Sequence, residues 1–212
     1  MALGRIILFA LLITEFGAVT AQKRKLLIAD FELKTSTSGW WRDNRHVKFT
    51  YDEKPENQPS ILSKKCLHVR WDSISNSKPF TWFTDLKADT FVVEGMQKEW
   101  KNFKQNTWIS FWYKFGTGDS LMFHYLVLSK GHTSKWGAKK MTAATATKWT
   151  FVKVKFADLQ YDNWGKITAD FDLNSDAVKC FEIGLRSSAT SPKGYIEAWF
   201  DDIVLTNYEP FE

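Results

Sequence analysis

The chain has 212 residues, of which 44% are hydrophobic and 25% are charged, and its formal net charge is +5. This composition is typical of a globular protein and excludes an intrinsically disordered or collagen-like chain. The length is sufficient for one domain with a full hydrophobic core.

The first 21 residues have the pattern of a secretory signal peptide. Arg5 precedes an apolar run over Ile6–Ile13, and small residues stand before Gln22 at the spacing of a cleavage site. The run is too short to span a bilayer comfortably. We therefore expect a secreted, extracellular protein with no membrane span, whose mature part (22–212) forms a single domain.

Nine segments with period-two alternation predict β-strands along the mature chain. In chain order they are Lys25–Glu32, His46–Tyr51, Lys64–Trp71, Phe80–Thr84, Thr107–Phe115, Leu121–Ser129, Lys148–Phe156, Ala177–Arg186 and Tyr195–Thr206. Only Val92–Phe103 has a helical pattern. Strands at this density predict an all-β fold, specifically a two-sheet antiparallel β-sandwich of the jelly-roll type.

The alternation gives several strands an apolar face and a second face that mixes aromatic rings with charged side chains. A face of this kind can hold a sugar chain, because pyranose C–H groups stack on indole rings and hydroxyl groups need charged or planar partners. The candidate ligand-binding residues are Trp108, Trp112, Trp149, His68, Arg70, His124, Glu182 and Arg186. Any single tryptophan of this set could instead pack within the sandwich. Any single histidine could instead form an ordinary hydrogen bond within the protein.

Two cysteines, Cys66 and Cys180, are most simply one disulfide in an exported protein. Both lie mid-strand on the polar face, which favours their pairing. A bridge would close a long loop and would stabilise the fold by roughly 4–5 kcal/mol in the chain-entropy model. The alternative is two buried thiols. The spacing of cysteines and histidines matches no zinc site.

Carboxylates alternate with apolar residues near both ends of the mature chain, in Ala29–Glu32 and Trp199–Leu205. Burying a carboxylate is costly unless it is paired or coordinates a metal, and Ca²⁺ prefers oxygen ligands. We therefore expect the first and last strands to be neighbours around a structural Ca²⁺. The candidate calcium ligands are Asp30, Glu32, Asp201 and Asp202.

Six ordered segments of the chain resemble a known family. They are Leu26–Glu32, Cys66–Val69, Trp108–Tyr113, Lys148–Leu159, Phe181–Leu185 and Ile196–Leu205. The sequence resembles the β-jelly-roll carbohydrate-binding modules, the galactose-binding-domain-like group of the glucan-binding type. The resemblance implies a structural calcium near both termini and a concave, aromatic sheet face that binds a glycan without cleaving it.

The sequence thus predicts a secreted, non-catalytic, lectin-like module that binds a polysaccharide as a monomer, with acidic glycans among its candidate ligands. A second hypothesis is a jelly-roll polysaccharide lyase acting on an acidic glycan. Its candidate residues are His68, Arg70, Lys114, His124 and Tyr125. A third is a secreted interaction or structural protein on the same scaffold. No segment resembles a nucleic-acid-binding module.

Overall fold

A computed structural model shows two β-sheets, to which most of the residues that it describes belong. It describes residues 23–29, 31–32, 40–42, 45–53, 59, 64–72, 80–85, 102–116, 121–129, 135–137, 141–142, 147–158, 160–162, 180–187 and 194–211. For one of the two sheets, apart from Arg42, this description is of the backbone alone. The expected signal peptide lies outside the described residues and stays a prediction.

Thirteen strands and two short helical segments lie in these ranges. The strands are β1 (Lys25–Ala29), β2 (Trp40–Arg42), β3 (Val47–Glu53), β4 (Lys65–Asp72), β5 (Phe80–Asp85), β6 (Trp108–Phe115), β7 (Leu121–Ser129), β8 (Lys135–Gly137), β9 (Met141–Thr142), β10 (Thr150–Lys155), β11 (Gln160–Asp162), β12 (Cys180–Ser187) and β13 (Tyr195–Thr206). The helical segments are α1 (Phe103–Asn106) and a 3-10 turn over Phe156–Asp158. Neither helical segment in this part of the chain is long and apolar enough to cross a membrane.

All described strand pairs are antiparallel. The six-stranded sheet has the order β10-β6-β13-β4-β3, and β1 also pairs with β13; the seven-stranded sheet has the order β11-β8-β7-β12-β5-β2, and β9 also pairs with β7. The all-β, antiparallel prediction is confirmed. The expected proximity of the first and last strands is also confirmed, because Lys25 pairs with Thr206 and Leu27 pairs with Val204.

One face of the six-stranded sheet, hereafter the inner face, is buried. Its largely aliphatic and aromatic residues have exposed fractions of 8% or less: Val47, Phe49, Leu67, Val69, Trp71, Ile109, Phe111, Phe115, Ile196, Ala198 and Phe200. The alternation predicted for these strands is therefore correct. A contact links edge strands of the two sheets: the guanidinium of Arg42 on β2 lies 5.8 Å from the ring of Phe49 on β3.

A β-bulge interrupts the pairing of β13 with β6. Asp201 pairs with Trp112 and Val204 pairs with Ser110, so three steps along β13 match two steps along β6. The extra residue is Asp202, which has a left-handed backbone with φ of 47°. Aspartate tolerates this conformation better than most residues do. The bulge leaves Asp202 outside the regular pairing, so the alternation of the strand does not determine the direction of its side chain.

The structure does not contain the predicted Cys66–Cys180 disulfide, because Cys66 is a free thiol. Cys66 lies on β4 of the six-stranded sheet, whereas Cys180 lies on β12 of the seven-stranded sheet. The Cys66 side chain is fully buried, and its Sγ donates a hydrogen bond to the backbone oxygen of Asp52 at 3.8 Å. The alternation predicted that both cysteines lie within strands, but not which sheet each strand joins.

We expect Cys66 to be unreactive in the folded protein. Burial raises the pKa of its thiol, and the negative charges of Asp201 and Asp52 raise it further. Because the thiolate is the reactive form, a thiol reagent at pH 8 should modify Cys66 only after unfolding in urea. Peptide mass spectrometry of protein alkylated before and after unfolding, without reductant, measures this. A Cys66 peptide linked to Cys180 would contradict the prediction.

Candidate functional site

The opposite face of the six-stranded sheet, hereafter the outer face, carries aromatic and charged side chains. Directly paired residues of neighbouring strands point to the same face about 5 Å apart, so the side chains form rows across the sheet. One row near the end of β13 consists of Lys155, Trp108, Thr206 and Lys25. A row near its start consists of Lys114, Trp199, His68 and Thr50. The two ends of the outer face differ in how their charges are compensated.

Trp199 is the centre of the row near the start of β13. Its ring stacks on His68 with centroids 4.7 Å apart and planes 7° apart. Its indole N–H donates a hydrogen bond to Asp52 Oδ2 at 2.9 Å. The Nζ of Lys114 lies 5.6 Å from the ring centroid. These contacts fix the indole in one orientation on the outer face.

The charged residues around Trp199 compensate one another. His68 Nδ1 lies 3.2 Å from Asp52 Oδ2, and His68 Nε2 lies 3.5 Å from Glu197 Oε1. Arg70 donates to Glu197 at 3.0 Å and to Asp72 at 2.8 Å. We call this group the charged network; its members are Lys48, Asp52, His68, Arg70, Asp72, Glu197 and Trp199.

Asp72 closes the charged network. Lys48 donates to it at 3.0 Å, and the hydrogen bonds from Lys48 and Arg70 hold the pKa of the Asp72 carboxyl below its usual value. A lyase would need a cation and a base that are available to a uronic acid. Here Arg70 already donates hydrogen bonds to two carboxylates, so the network does not favour the lyase hypothesis.

We expect Gly116→Ala to destabilise the protein by about 1–3 kcal/mol through overpacking. A Cβ at position 116 would lie 2.8 Å from Cη2 and 2.9 Å from Cζ3 of Trp199. The ring cannot easily move away, because it stacks on His68 and donates a hydrogen bond to Asp52. Urea denaturation gives the free energy of unfolding. In a Trp199→Phe background, which removes those two atoms, Gly116→Ala should cost much less. Equal costs in both backgrounds would contradict this explanation.

An open pocket of about 240 Å³ lies on the outer face between Trp112 and the last residues of β13. Its lining combines rings with hydroxyl and charged groups: Lys25, Ser110, Trp112, Phe151, Asp202, Val204, Thr206, Tyr208, Pro210 and Phe211. The rings of Trp112 and Phe151 are 5.4 Å apart and tilted by 52°. Their partly exposed surfaces form the apolar side of the pocket.

Residues 207–211, which we call the tail, form one wall of this pocket. Asn207 Oδ1 accepts a hydrogen bond from the backbone N–H of Arg24 at 2.7 Å, and Thr206 Oγ1 donates to the backbone oxygen of Tyr208 at 2.6 Å. At the far side of the sheet, Lys153 forms an ion pair with Glu209 at 2.6 Å. The tail therefore crosses from β13 to β10 over the outer face.

The sheet positions in the pocket next to the tail are buried, although they belong to the outer face. Ser110 is 3% exposed, Val204 is 5% exposed and Thr206 is 1% exposed. Trp108 and Trp112 on the same face remain partly exposed. A ligand therefore meets the aromatic rings and the tail before it meets the sheet beneath.

The predicted ligand-binding residues separate into distinct groups. Trp108 and Trp112 lie on the outer face, and His68 and Arg70 lie in the charged network. Trp149 is only 9% exposed and lies before β10, so it offers little surface to a ligand. Its buried indole nitrogen has no hydrogen-bond partner among the described residues.

The remaining predicted residues lie on the other sheet. His124 is on β7, and Glu182 and Arg186 are on β12. The expectation that all eight residues share one sheet face is therefore wrong. The period-two pattern predicted these segments as strands, but it contains no information about which strands are neighbours.

Several residues of the outer face were not among the predicted ligand-binding residues. Phe151 and Trp199 share their faces with predicted residues, and the alternation of β10 and β13 was a sufficient signal for both. The tail residues Tyr208 and Phe211 follow the last strand without any periodic pattern. Their place in the pocket depends on how the chain turns after Thr206, which the sequence does not reveal.

Two of the described carboxylates of the expected calcium site already accept protein hydrogen bonds. Glu32 Oε1 accepts from the backbone N–H of Lys65 at 2.7 Å, and Asp201 Oδ1 accepts from that of Asp202 at 2.8 Å. Asp201 is fully buried. No group of three metal-ligating side chains occurs within the described residues, and Asp30 lies outside them. The calcium site stays a prediction.

Comparisons with solved structures find the same architecture elsewhere. The family 11 carbohydrate-binding module of the cellulosomal cellulase Lic26A-Cel5E of Clostridium thermocellum matches with a TM-score of 0.53 at 12% identity, covering 91% of this chain and 98% of that one. The family 30 module of the cellulase Cel9D-Cel44B of the same organism matches with a TM-score of 0.51 at 16% identity, covering 89% and 99%. The chain shares its fold with carbohydrate-binding modules.

The same fold also forms part of a larger enzyme. An exo-β-agarase matches with a TM-score of 0.56 at 13% identity, but the likeness covers 87% of this chain and only 26% of the agarase. No protein-family model and no curated protein matches the sequence. The predicted resemblance to jelly-roll carbohydrate-binding modules is thus confirmed for the fold.

Proposed function

We propose that this protein binds a polysaccharide, without cleaving it, in the outer-face pocket. The observation that carries the proposal is the pairing of Trp112 and Phe151 beside Tyr208 and the charged groups of Asp202 and Lys25 in one open depression. Rings provide a stacking surface for the C–H faces of a sugar, and the polar groups provide donors and acceptors for its hydroxyls.

The structural likeness supports the proposal at the level of the fold, because carbohydrate-binding modules are built on it. Fold alone does not determine function, so the pocket is the stronger argument. The pocket is open, which suits a segment of a chain better than an enclosed small molecule. We further propose that the protein acts outside the cell as a monomer, as the signal-peptide pattern and the single domain favour.

Trp112→Ala should weaken binding to the target polysaccharide by at least about tenfold, since aromatic residues at the centre of a site carry much of its binding energy. Affinity electrophoresis against β-glucans, agarose, alginate and pectin, followed by titration calorimetry, measures the loss. Tyr195→Ala removes an aromatic side chain from the far end of the same face and should change affinity less than twofold. A larger loss of affinity for Tyr195→Ala than for Trp112→Ala, or no binding to any of the polymers, would refute the proposal.

We also propose a structural Ca²⁺ near the two ends of the mature chain, held by Asp30, Glu32, Asp201 and Asp202. A ligand at 100 times its Kd stabilises a fold by about 2.7 kcal/mol. Chelation with EDTA should therefore lower the Tm by about 5–10 °C for a chain of this size. Adding back Ca²⁺, but not Mg²⁺, should restore it. An unchanged Tm would contradict the calcium proposal but not the proposal that the pocket binds a polysaccharide.

A further inference from the structure

The two ends of the outer face differ in charge balance. In the charged network, each of the cations Lys48 and Arg70 lies within 4 Å of a carboxylate. At the other end lie Lys25, Lys153 and Lys155, which we call the lysine end. Of these, Lys25 and Lys155 have no ion pair with a described carboxylate. Positive charge is therefore in excess beside the pocket.

The lysine end already holds one carboxylate. Glu209 of the tail lies 2.6 Å from Lys153 Nζ, and both side chains are partly exposed, at 52% and 37%. The same Nζ donates to the backbone oxygen of Pro210 at 3.4 Å and lies 5.7 Å from the ring of Phe211. An anionic group thus fits on this face next to an aromatic ring that borders the pocket.

The neighbouring row extends this arrangement across the sheet. Lys155 Nζ lies 5.6 Å from the ring centroid of the partly exposed Trp108. Lys25 stands three strands away in the same row and lines the pocket itself. Cations beside exposed rings suit a ligand that combines sugar rings with negative charges.

We infer that the lysine end is a subsite for the anionic groups, carboxylate or sulfate, of an acidic polysaccharide, and that Glu209 occupies it when the ligand is absent. This inference rests on the proposed function and names the ligand class of the same site. The negative charges of the polymer interact with Lys25 and Lys155 and compete with Glu209 for Lys153. The opposing carboxylate in the pocket is Asp202, which is a hydrogen-bond acceptor for hydroxyl groups.

The test compares three polymers on the full chain: alginate, which carries carboxylates, carrageenan, which carries sulfates, and neutral mixed-linkage β-glucan. The double substitution Lys25→Gln with Lys155→Gln should weaken binding to a charged polymer about three- to tenfold and to the neutral one less than twofold, with the difference lost at high salt. Alginate and carrageenan distinguish carboxylate from sulfate recognition.

Glu209→Gln should act in the opposite direction and strengthen binding to the charged polymer about two- to fivefold, because a competing carboxylate is removed. An equal gain for the neutral glucan would show instead that the tail acts only as an obstacle, and would overturn the inference. Lys48→Gln is the matched control for Lys155→Gln alone, since each removes one positive charge from the same face. It should change affinity for charged polymers less than twofold.

The failures of the two proposals are distinguishable. If Trp112→Ala abolishes binding but the lysine substitutions leave the preference among polymers unchanged, the proposed function stands and the anionic subsite is wrong. If no polymer binds, both are wrong. A DNA duplex of random sequence tests for general attraction to polyanions. If it binds as tightly as the charged polysaccharides, and the lysine substitutions weaken that binding, the assignment to a glycan is overturned.

Discussion

Strand β13 is the element on which the six-stranded sheet depends, because it is hydrogen-bonded to three other strands. Its first half pairs with β4, its second half pairs with β1, and β6 runs along the other side. Its buried side chains, among them Ile196 and Phe200, fix one face against the core. The opposite side chains, including Trp199 and Glu197, are thereby held in place for the outer face.

Strand β13 carries a buried acidic residue, Asp201, after its midpoint. The fully buried Asp201 lies close enough to the buried Cys66 to raise the pKa of its thiol, together with Asp52. An uncharged thiol next to the buried Asp201 avoids burying a second negative charge there. The same carboxyl group of Asp52 also accepts the indole N–H of Trp199. Stability of the interior and order on the surface are thus coupled through one acidic side chain.

The sequence was sufficient for what depends on local periodicity and insufficient for what depends on strand neighbours. Leu121–Ser129 and Tyr195–Thr206 were predicted with the bounds that the structure has, because alternation and turn residues define both ends. Short strands such as β2 and β8 carry too few residues to show a period. The sheet partners of Cys66 and His124 come from long-range pairing. The route of the tail comes from tertiary contacts, notably that of Glu209 with Lys153.

Asp202 lines the pocket but, because it lies at the bulge, takes no part in the regular strand pairing. Since this residue is extra in the ladder, Asp201 and Val204 keep the outer face and Ile203 keeps the inner one whatever side chain stands between them. Its left-handed backbone restricts the favourable choices to aspartate, asparagine and glycine. An exchange of Asp202 therefore changes the surface of the pocket and the proposed calcium site together, while the neighbouring side chains of β13 keep their faces.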